Sequence, residues 1–144
     1  MSQAMNRREM REKALQTLFQ LETNEDLAIK DAIQTALLGE EDEVEDAIFE
    51  VPTYLEVLVS GVQANQAAID EKIKAHLENW SMNRLAKVDL IIMRIAIFEI
   101  CYIDNVPNRV ALNEAIEVTK RYSDEKSRKF VNGLLAKVVD EIEA

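Results

Sequence analysis

The chain has 144 residues, of which 48% are hydrophobic and 31% charged, enough apolar material for one folded domain. Gly (3) and Pro (2) are too scarce for the many turns of an all-β sandwich or barrel. One Cys, one His and three isolated glycines exclude a disulfide framework, a multi-histidine metal site and a glycine-rich phosphate loop. Because the N-terminus lacks a long apolar run, we expect no signal peptide or membrane anchor, and a cytoplasmic protein without metal or cofactor.

The net charge of −10 is unevenly distributed along the chain. Residues 22–56 hold twelve acidic side chains and one basic one. Residues 7–21 have four basic against two acidic side chains, and residues 105–137 have seven against four. This distribution is typical of a protein that presents small basic patches to RNA and an acidic side to a basic protein.

Residues 7–22 are predicted to form the first helix, because apolar residues recur at helical spacing from Met10 to Leu21. Arg7 and Arg11 fall on the same stripe as these apolar residues. An unpaired arginine is not stable in a core. The two guanidinium groups therefore either project towards a ligand or pair with acidic neighbours, and the spacing leaves both readings open.

The next segments are predicted to be helical on either side of an acidic run. Residues 26–38 form an amphipathic pattern, and the run at 40–46 is predicted to be a solvated loop or a frayed helix, with a docking patch for a basic partner as the alternative. Apolar residues then keep a helical register over 54–80, which indicates one long helix or two helices broken between Gly61 and Asn65.

Ser81 is expected to cap a central helix over 82–103. The second part of this helix contains only two charged residues, Arg94 and Glu99, so we predict that it is buried on nearly all sides. It is too short, with flanks too charged, for a membrane span. We expect each of the two charged side chains to pair with another helix.

The C-terminal part is predicted to contain two helices, over 109–122 and 125–142, with Ser123 or Asp124 as the cap of the last one. Several cations follow that cap, at the positive end of the helix dipole. A bound anion such as phosphate would stabilise them there.

The remaining chemistry-bearing residues do not indicate catalysis. His76 is predicted to be a surface or interhelix residue, Cys101 an inert buried one, and Gly133 a site of close helix packing. Pairs of neighbouring carboxylates, such as Glu9 and Glu12, are expected by chance on the helix surfaces of a protein with 27 acidic residues, so they do not indicate a catalytic pair. We therefore predict a non-enzymatic, all-α bundle of six or seven helices.

Three stretches of the sequence resemble one protein family. They are residues 7–22 (RREMREKALQTLFQLE), 80–100 (WSMNRLAKVDLIIMRIAIFEI) and 106–135, which contains NEAIEVTK at 113–120 and KFVNGLL at 129–135. Their order and spacing are similar to those of the NusB family of bacterial transcription antitermination factors. The resemblance covers about two-thirds of the chain and excludes the acidic segment 39–52, which looks like a family-variable insert.

The resemblance implies a NusB-like domain over residues 1–144, made of two small helical subdomains at about 1–79 and 80–144. It also implies a partner, the basic ribosomal small-subunit protein NusE, which would bind the acidic surface. The pair would bind boxA single-stranded RNA and join the RNA polymerase antitermination complex during ribosomal RNA transcription.

The resemblance further implies an RNA-binding site at two basic regions, which are the regions found by the charge distribution. The family's arginine-rich first helix and the start of its last helix correspond here to Arg7, Arg8, Arg11, Gln16, Phe19, Lys126, Arg128, Lys129 and Phe130. Cations would hold the RNA backbone and the two aromatic rings would stack on bases. Periodicity favours core packing for Phe130. Replacing Arg7 and Arg11 by Ala is expected to weaken RNA binding with little effect on folding.

Two alternatives stay open at this point. A helical scaffold or homodimer without specific RNA binding would tolerate charge reversal at Arg7, Arg8 and Arg11. A NusB-like domain also occurs fused to RNA cytosine methyltransferases, but we expect no such enzyme, because the 144 residues contain no glycine-rich cofactor loop.

Overall fold

The computed structural model describes residues 5–38, 51–77 and 81–144. Within these ranges the chain forms seven α-helices, one 3-10 turn at Met82–Arg84, and no strand. The helices are α1 (Arg7–Thr23), α2 (Ile29–Leu38), α3 (Thr53–Ala64), α4 (Gln66–Ala75), α5 (Lys87–Tyr102), α6 (Asn108–Tyr122) and α7 (Glu125–Glu143). The predicted all-α class is confirmed.

The long apolar pattern after Pro52 is two helices. Helix α3 ends at Ala64 and α4 begins at Gln66, so of the two alternatives the one with a break between Gly61 and Asn65 is confirmed. The Asn65 side-chain amide donates to the carbonyl oxygen of Gly61 at 2.8 Å, which satisfies one of the free carbonyls at the end of α3.

The predicted helix over 82–103 begins later than expected. The chain first makes the 3-10 turn, then passes through Leu85 and Ala86 with extended backbone angles. These two residues interrupt the predicted helix, and α5 starts at Lys87. Ser81 makes no capping hydrogen bond, and its hydroxyl contacts the Asn83 side chain instead. Its predicted capping role is wrong because α5 starts six residues later. The spacing of apolar residues does not reveal the extended backbone that separates Ser81 from the helix.

Helix α5 lies at the centre of the bundle and contacts α1, α3, α4, α6 and α7. Every residue from Asp89 to Ile100 is buried, so the predicted central helix is confirmed. The Arg94 guanidinium donates two hydrogen bonds to Asp70 of α4, at 2.8 and 2.9 Å. Glu99 pairs with α1, so both charged residues of the helix bind a neighbouring helix as predicted.

One hydrophobic core is shared by both halves of the chain, with members such as Leu15 of α1, Leu58 of α3 and Leu135 of α7. The division into two subdomains stays a prediction, and its boundary falls at residues 78–80, outside the described residues. The acidic run at 40–46 also lies outside them. No helix in the described part of the chain is long and apolar enough to cross a membrane.

Two glycines have opposite surroundings. A Cβ atom at Gly61 would overlap the ring of Phe98, so α3 and α5 approach as closely as they do because this side chain is absent. At Gly133 no described atom lies within 4 Å of the Cβ position, apart from the adjoining backbone of α7 and the two neighbouring residues. The predicted close packing at Gly133 is therefore wrong, because that side of α7 faces no described neighbour.

Candidate nucleic-acid interface

Helix α1 begins at Arg7 because Asn6 and Glu9 cap it reciprocally. The Asn6 side-chain oxygen accepts from the Glu9 backbone N–H at 2.8 Å, and the Glu9 carboxylate accepts from the Asn6 N–H at 3.3 Å. Arg7 and Arg8 therefore occupy the first turn of the helix, at its positive end. Both also line an open groove of about 460 Å³ between the starts of α1 and α6.

Arg8 is held by an ion pair across to α6. Its Nε and Nη2 donate to the two carboxylate oxygens of Glu114, at 2.7 and 3.0 Å. These hydrogen bonds lower the pKa of Glu114 and raise that of Arg8. The Arg8 side chain is still 53% exposed, so its outer edge can meet a ligand in the groove.

Arg11 lies inside the bundle, with 5% of its surface exposed. Its Nε and Nη2 donate to the carboxylate of Glu99 at 2.7 and 2.8 Å. Burial is the largest single influence and lowers the pKa of Arg11, but the hydrogen bonds that Arg11 donates to Glu99 and the nearby negative charges together raise it. The expectation that Arg11 is exposed is wrong; of the two readings left open, pairing with an acidic residue holds for Arg11. Because its charge is buried with its partner, we expect its loss to destabilise the fold.

Arg7 is exposed and lies over an aromatic ring. Its Cζ atom is 4.1 Å from the centroid of the Tyr54 ring in α3, a cation–π distance. Of the three arginines predicted to bind RNA, Arg7 and Arg8 are exposed at the surface. Arg11 instead forms an ion pair that joins α1 to α5.

The middle of α1 contacts the end of α6. The Gln16 side-chain amide donates to the Tyr122 hydroxyl at 3.0 Å, and Arg121 donates to the Glu12 carboxylate at 3.0 and 3.2 Å. Phe19, one turn beyond Gln16, is 38% exposed although it is a large apolar residue. An exposed ring beside a basic region is suited to stacking on a nucleobase.

Helix α7 begins at Glu125 because the Asp124 side chain accepts from the Ser127 backbone N–H at 2.8 Å. This hydrogen bond lowers the pKa of Asp124 and confirms it as the cap. Lys126 is exposed in the first turn. Arg128 and Lys129 pair with Glu125 over longer distances, 3.8 and 3.7 Å.

Phe130 is half-buried and packs against the main hydrophobic core, as its periodicity predicted. The loop from Tyr122 to Glu125 is short, so the Gln16–Tyr122 hydrogen bond also brings the start of α7 towards the middle of α1. Arg7 and Arg8 lie beside the start of α6 instead, so the two basic regions are at opposite ends of this helix. That the nine residues of the predicted RNA-binding site, from Arg7 to Phe130, contact RNA stays a prediction.

Several residues of this surface were not singled out from the sequence as part of it. Tyr54, Glu99, Glu114 and Tyr122 position the predicted residues from α3, α5 and α6. The signals available were a carboxylate in an apolar run for Glu99 and a polar insertion in an apolar helix for Glu114. Neither signal names the arginine to which the carboxylate binds.

The residues with possible catalytic chemistry have structural partners. His76 lies 2.8 Å from Glu141 of α7, which confirms it as an interhelix residue. Cys101 is half-buried, and burial raises the pKa of its thiol, which disfavours the reactive thiolate. In the described ranges no three His, Cys, Asp or Glu residues are grouped so as to hold a metal ion.

Comparisons with known proteins converge on one family. The model of the NusB family matches residues 8–140. Transcription antitermination protein NusB of Enterococcus faecalis is 54% identical over 143 residues, covering 97% of this chain and 93% of that protein.

Solved structures agree in fold. T. maritima NusB superimposes with a TM-score of 0.80 and 33% identity, covering 96% of this chain and 94% of that one. A chain from a crystal structure of the antitermination factors NusB and NusE in complex with double-stranded RNA superimposes with a TM-score of 0.76 and 22% identity. It covers 94% of this chain and 96% of that one.

Proposed function

Because the chain belongs to the NusB family, we propose that it is a transcription antitermination factor that binds RNA together with NusE. It acts as a non-enzymatic adaptor: with NusE it binds boxA RNA while ribosomal RNA is transcribed, and it joins the RNA polymerase antitermination complex. Its place of action is the cytoplasm.

The observation that carries this proposal is the arrangement of the two basic regions. Arg7 and Arg8 begin α1 near the start of α6, and Lys126 and Lys129 lie in the first turns of α7, which follows the end of α6. Contacts of α1 along α6 link the two regions, at Glu114 for Arg8 and at Tyr122 for Gln16. Each region lies at a helix N-terminus, where backbone N–H groups and the helix dipole favour an anion. One RNA strand would therefore meet cations at two positions, separated by the length of α6, roughly 22 Å.

The aromatic residues support single-stranded rather than duplex RNA. Bases stack on aromatic side chains when they are not already stacked in a helix, and Phe19 offers an exposed ring one turn beyond Gln16, which contacts Tyr122 at the end of α6. The solved complex that resembles this chain contains double-stranded RNA, so the two forms of RNA need to be compared directly.

The net charge of −10 supports a basic protein partner. The acidic surface would also repel RNA at other places on the molecule. Affinity for RNA is therefore expected to rise when NusE neutralises part of that surface and adds its own contacts.

The experiment is a titration of labelled boxA RNA with the protein, alone and with purified NusE. A scrambled single strand of equal composition and a boxA duplex are the matched controls. Tighter binding of the boxA single strand, strengthened by NusE, supports the proposal. Equal binding of the boxA and scrambled strands with NusE present would contradict it and favour a helical scaffold or homodimer without specific RNA binding.

A further inference from the structure

Tyr54 of α3 connects the surface of the RNA-binding region to the interior of the bundle. Its ring lies under the guanidinium group of Arg7, at 4.1 Å from Cζ to the ring centroid. Its hydroxyl donates to the Glu99 carboxylate at 2.5 Å. The side chain is half-buried, so one end contacts the core and the other supports a surface cation.

The carboxylate that holds Tyr54 is itself fixed. Glu99 is 1% exposed and accepts two hydrogen bonds from Arg11, at 2.7 and 2.8 Å. Burial, followed by the hydrogen bond to Glu99, raises the pKa of the Tyr54 hydroxyl, so the hydroxyl keeps the proton that it donates. The ring is therefore held in one orientation by a chain of buried contacts.

The support that Tyr54 gives Arg7 differs from the support that Glu114 gives Arg8. An ion pair orients a guanidinium group but compensates its charge with a carboxylate. An aromatic face orients the group and leaves its positive charge and its N–H edge available to phosphate. Arg7 is thus an oriented cation at the start of α1 whose support carries no negative charge.

From these contacts we propose that Tyr54 is a positioning residue for RNA binding, which holds the Arg7 guanidinium ready for a phosphate of single-stranded RNA. This role rests on the proposed function. Its physical basis is preorganisation: a free arginine loses much rotamer freedom when it binds, whereas one already resting on a ring loses less.

The test is a double-mutant cycle with Tyr54→Leu, which removes the aromatic face, and Arg7→Ala. BoxA affinity is measured with NusE present, and urea unfolding confirms that each variant is folded. Loss of an exposed cation–π contact corresponds to about two- to fivefold weaker binding. We expect that loss for Tyr54→Leu in the wild-type background, and no further loss in the Arg7→Ala background.

Three matched variants separate this role from a structural one. In the Arg8→Ala background Tyr54→Leu should still weaken binding about two- to fivefold, because Arg7 is intact. Tyr54→Phe keeps the ring and should restore most of the affinity. Tyr54→Met fills the same space without an aromatic face and serves as a second variant if Tyr54→Leu does not fold.

Two results would overturn the role of Tyr54: an equal loss of affinity in the wild-type and Arg7→Ala backgrounds, or no loss in a folded Tyr54→Leu protein. Wild-type protein that does not prefer boxA would overturn the proposed function and this role with it. A separate readout distinguishes the two failures. The NMR signals of the Arg7 side chain should carry an upfield ring-current shift without RNA, and Tyr54→Leu should remove it.

Discussion

The cations at the start of α1 bind to other helices, whereas the ion pairs of Arg128 and Lys129 in α7 are made to Glu125 in the same helix. In α1, Arg8 binds Glu114 of α6 and Arg11 binds Glu99 of α5 at 2.7 Å, with the second pair buried. In α7 the two ion-pair distances are 3.8 and 3.7 Å, from a partly exposed Arg128 and an exposed Lys129.

The two basic regions are therefore built differently: the cations of α1 are paired between helices, and those of α7 within one helix. At the start of α1 the arginines are part of the contacts between helices, so changing them changes both the fold and the surface. At the start of α7 the cations are carried on one helix turn and contribute little to packing, since exposed ion pairs are worth about 0–1 kcal/mol. Substitutions in α7 therefore report on RNA binding more cleanly than substitutions in α1.

The largest expected effect is on stability, from Glu99→Ala. It leaves the buried Arg11 charge without its partner and removes the acceptor of the Tyr54 hydroxyl. Breaking a buried pair from one side costs about 3–5 kcal/mol. Urea unfolding measures the change, with Glu125→Ala in α7 as the control, for which we expect a change within about 0.5 kcal/mol. Equal, small effects at both positions would remove the distinction between the two regions.

Two glycines, one in α3 beneath α5 and one in α7, give the next largest contrast. Gly61→Ala places a methyl group against the Phe98 ring, and overpacking of this kind costs about 1–3 kcal/mol. Gly133→Ala in α7 meets no described atom and should stabilise the helix by about 0.5–1 kcal/mol. Thermal unfolding of the two variants should show shifts of opposite sign, and a stabilising Gly61→Ala would contradict the close packing of α3 on α5.

In α7 the expected effect is on RNA binding. Lys129→Ala should reduce the slope of log K against log salt by about 0.7 if the side chain contacts one phosphate of a single strand. The unfolding free energy should change by no more than about 0.5 kcal/mol. Lys137→Ala, in the same helix but two turns further on, is the matched control and should leave the slope unchanged. An unchanged slope for Lys129→Ala would remove Lys129 from the RNA site.

The smallest effect concerns the pH dependence of the Arg8–Glu114 pair. Because the hydrogen bonds from Arg8 lower the pKa of Glu114, this pair stabilises the fold above the ordinary carboxyl pKa. That contribution is lost as the pH falls through the lowered value in the folded protein. Arg8→Ala should raise the Glu114 pKa, as measured by NMR titration of the carboxyl carbon, and reduce the acid dependence of stability. An unchanged Glu114 pKa would show that the pair does not persist in solution.

The sequence predicted what depends on local pattern. Helical spacing identified the central α5 and offered a break between Gly61 and Asn65 as one of two alternatives, and the charge distribution located both basic regions. Spacing also placed Phe130 in the core, where it packs.

Contacts between distant parts of the chain could not be predicted. Arg11 and Glu99 are 88 positions apart, and the stripe of α1 showed only that Arg11 needs either a ligand or a partner. Tyr54 was assigned to a helix, but its contact with Arg7 depends on how α3 lies against α1. The same limit explains the error at Gly133, because periodicity does not tell whether a helix faces a neighbour.

The central claim is that the start of α1, Phe19 and the start of α7 form one RNA-binding surface. The most direct measurement is NMR of the isotope-labelled protein bound to unlabelled NusE, before and after addition of boxA single-stranded RNA. We expect the shifted signals to concentrate in residues 7–19 and 125–130, with a scrambled strand producing smaller changes. Shifts confined to other helices, such as α4, with both basic regions unchanged, would contradict the claim.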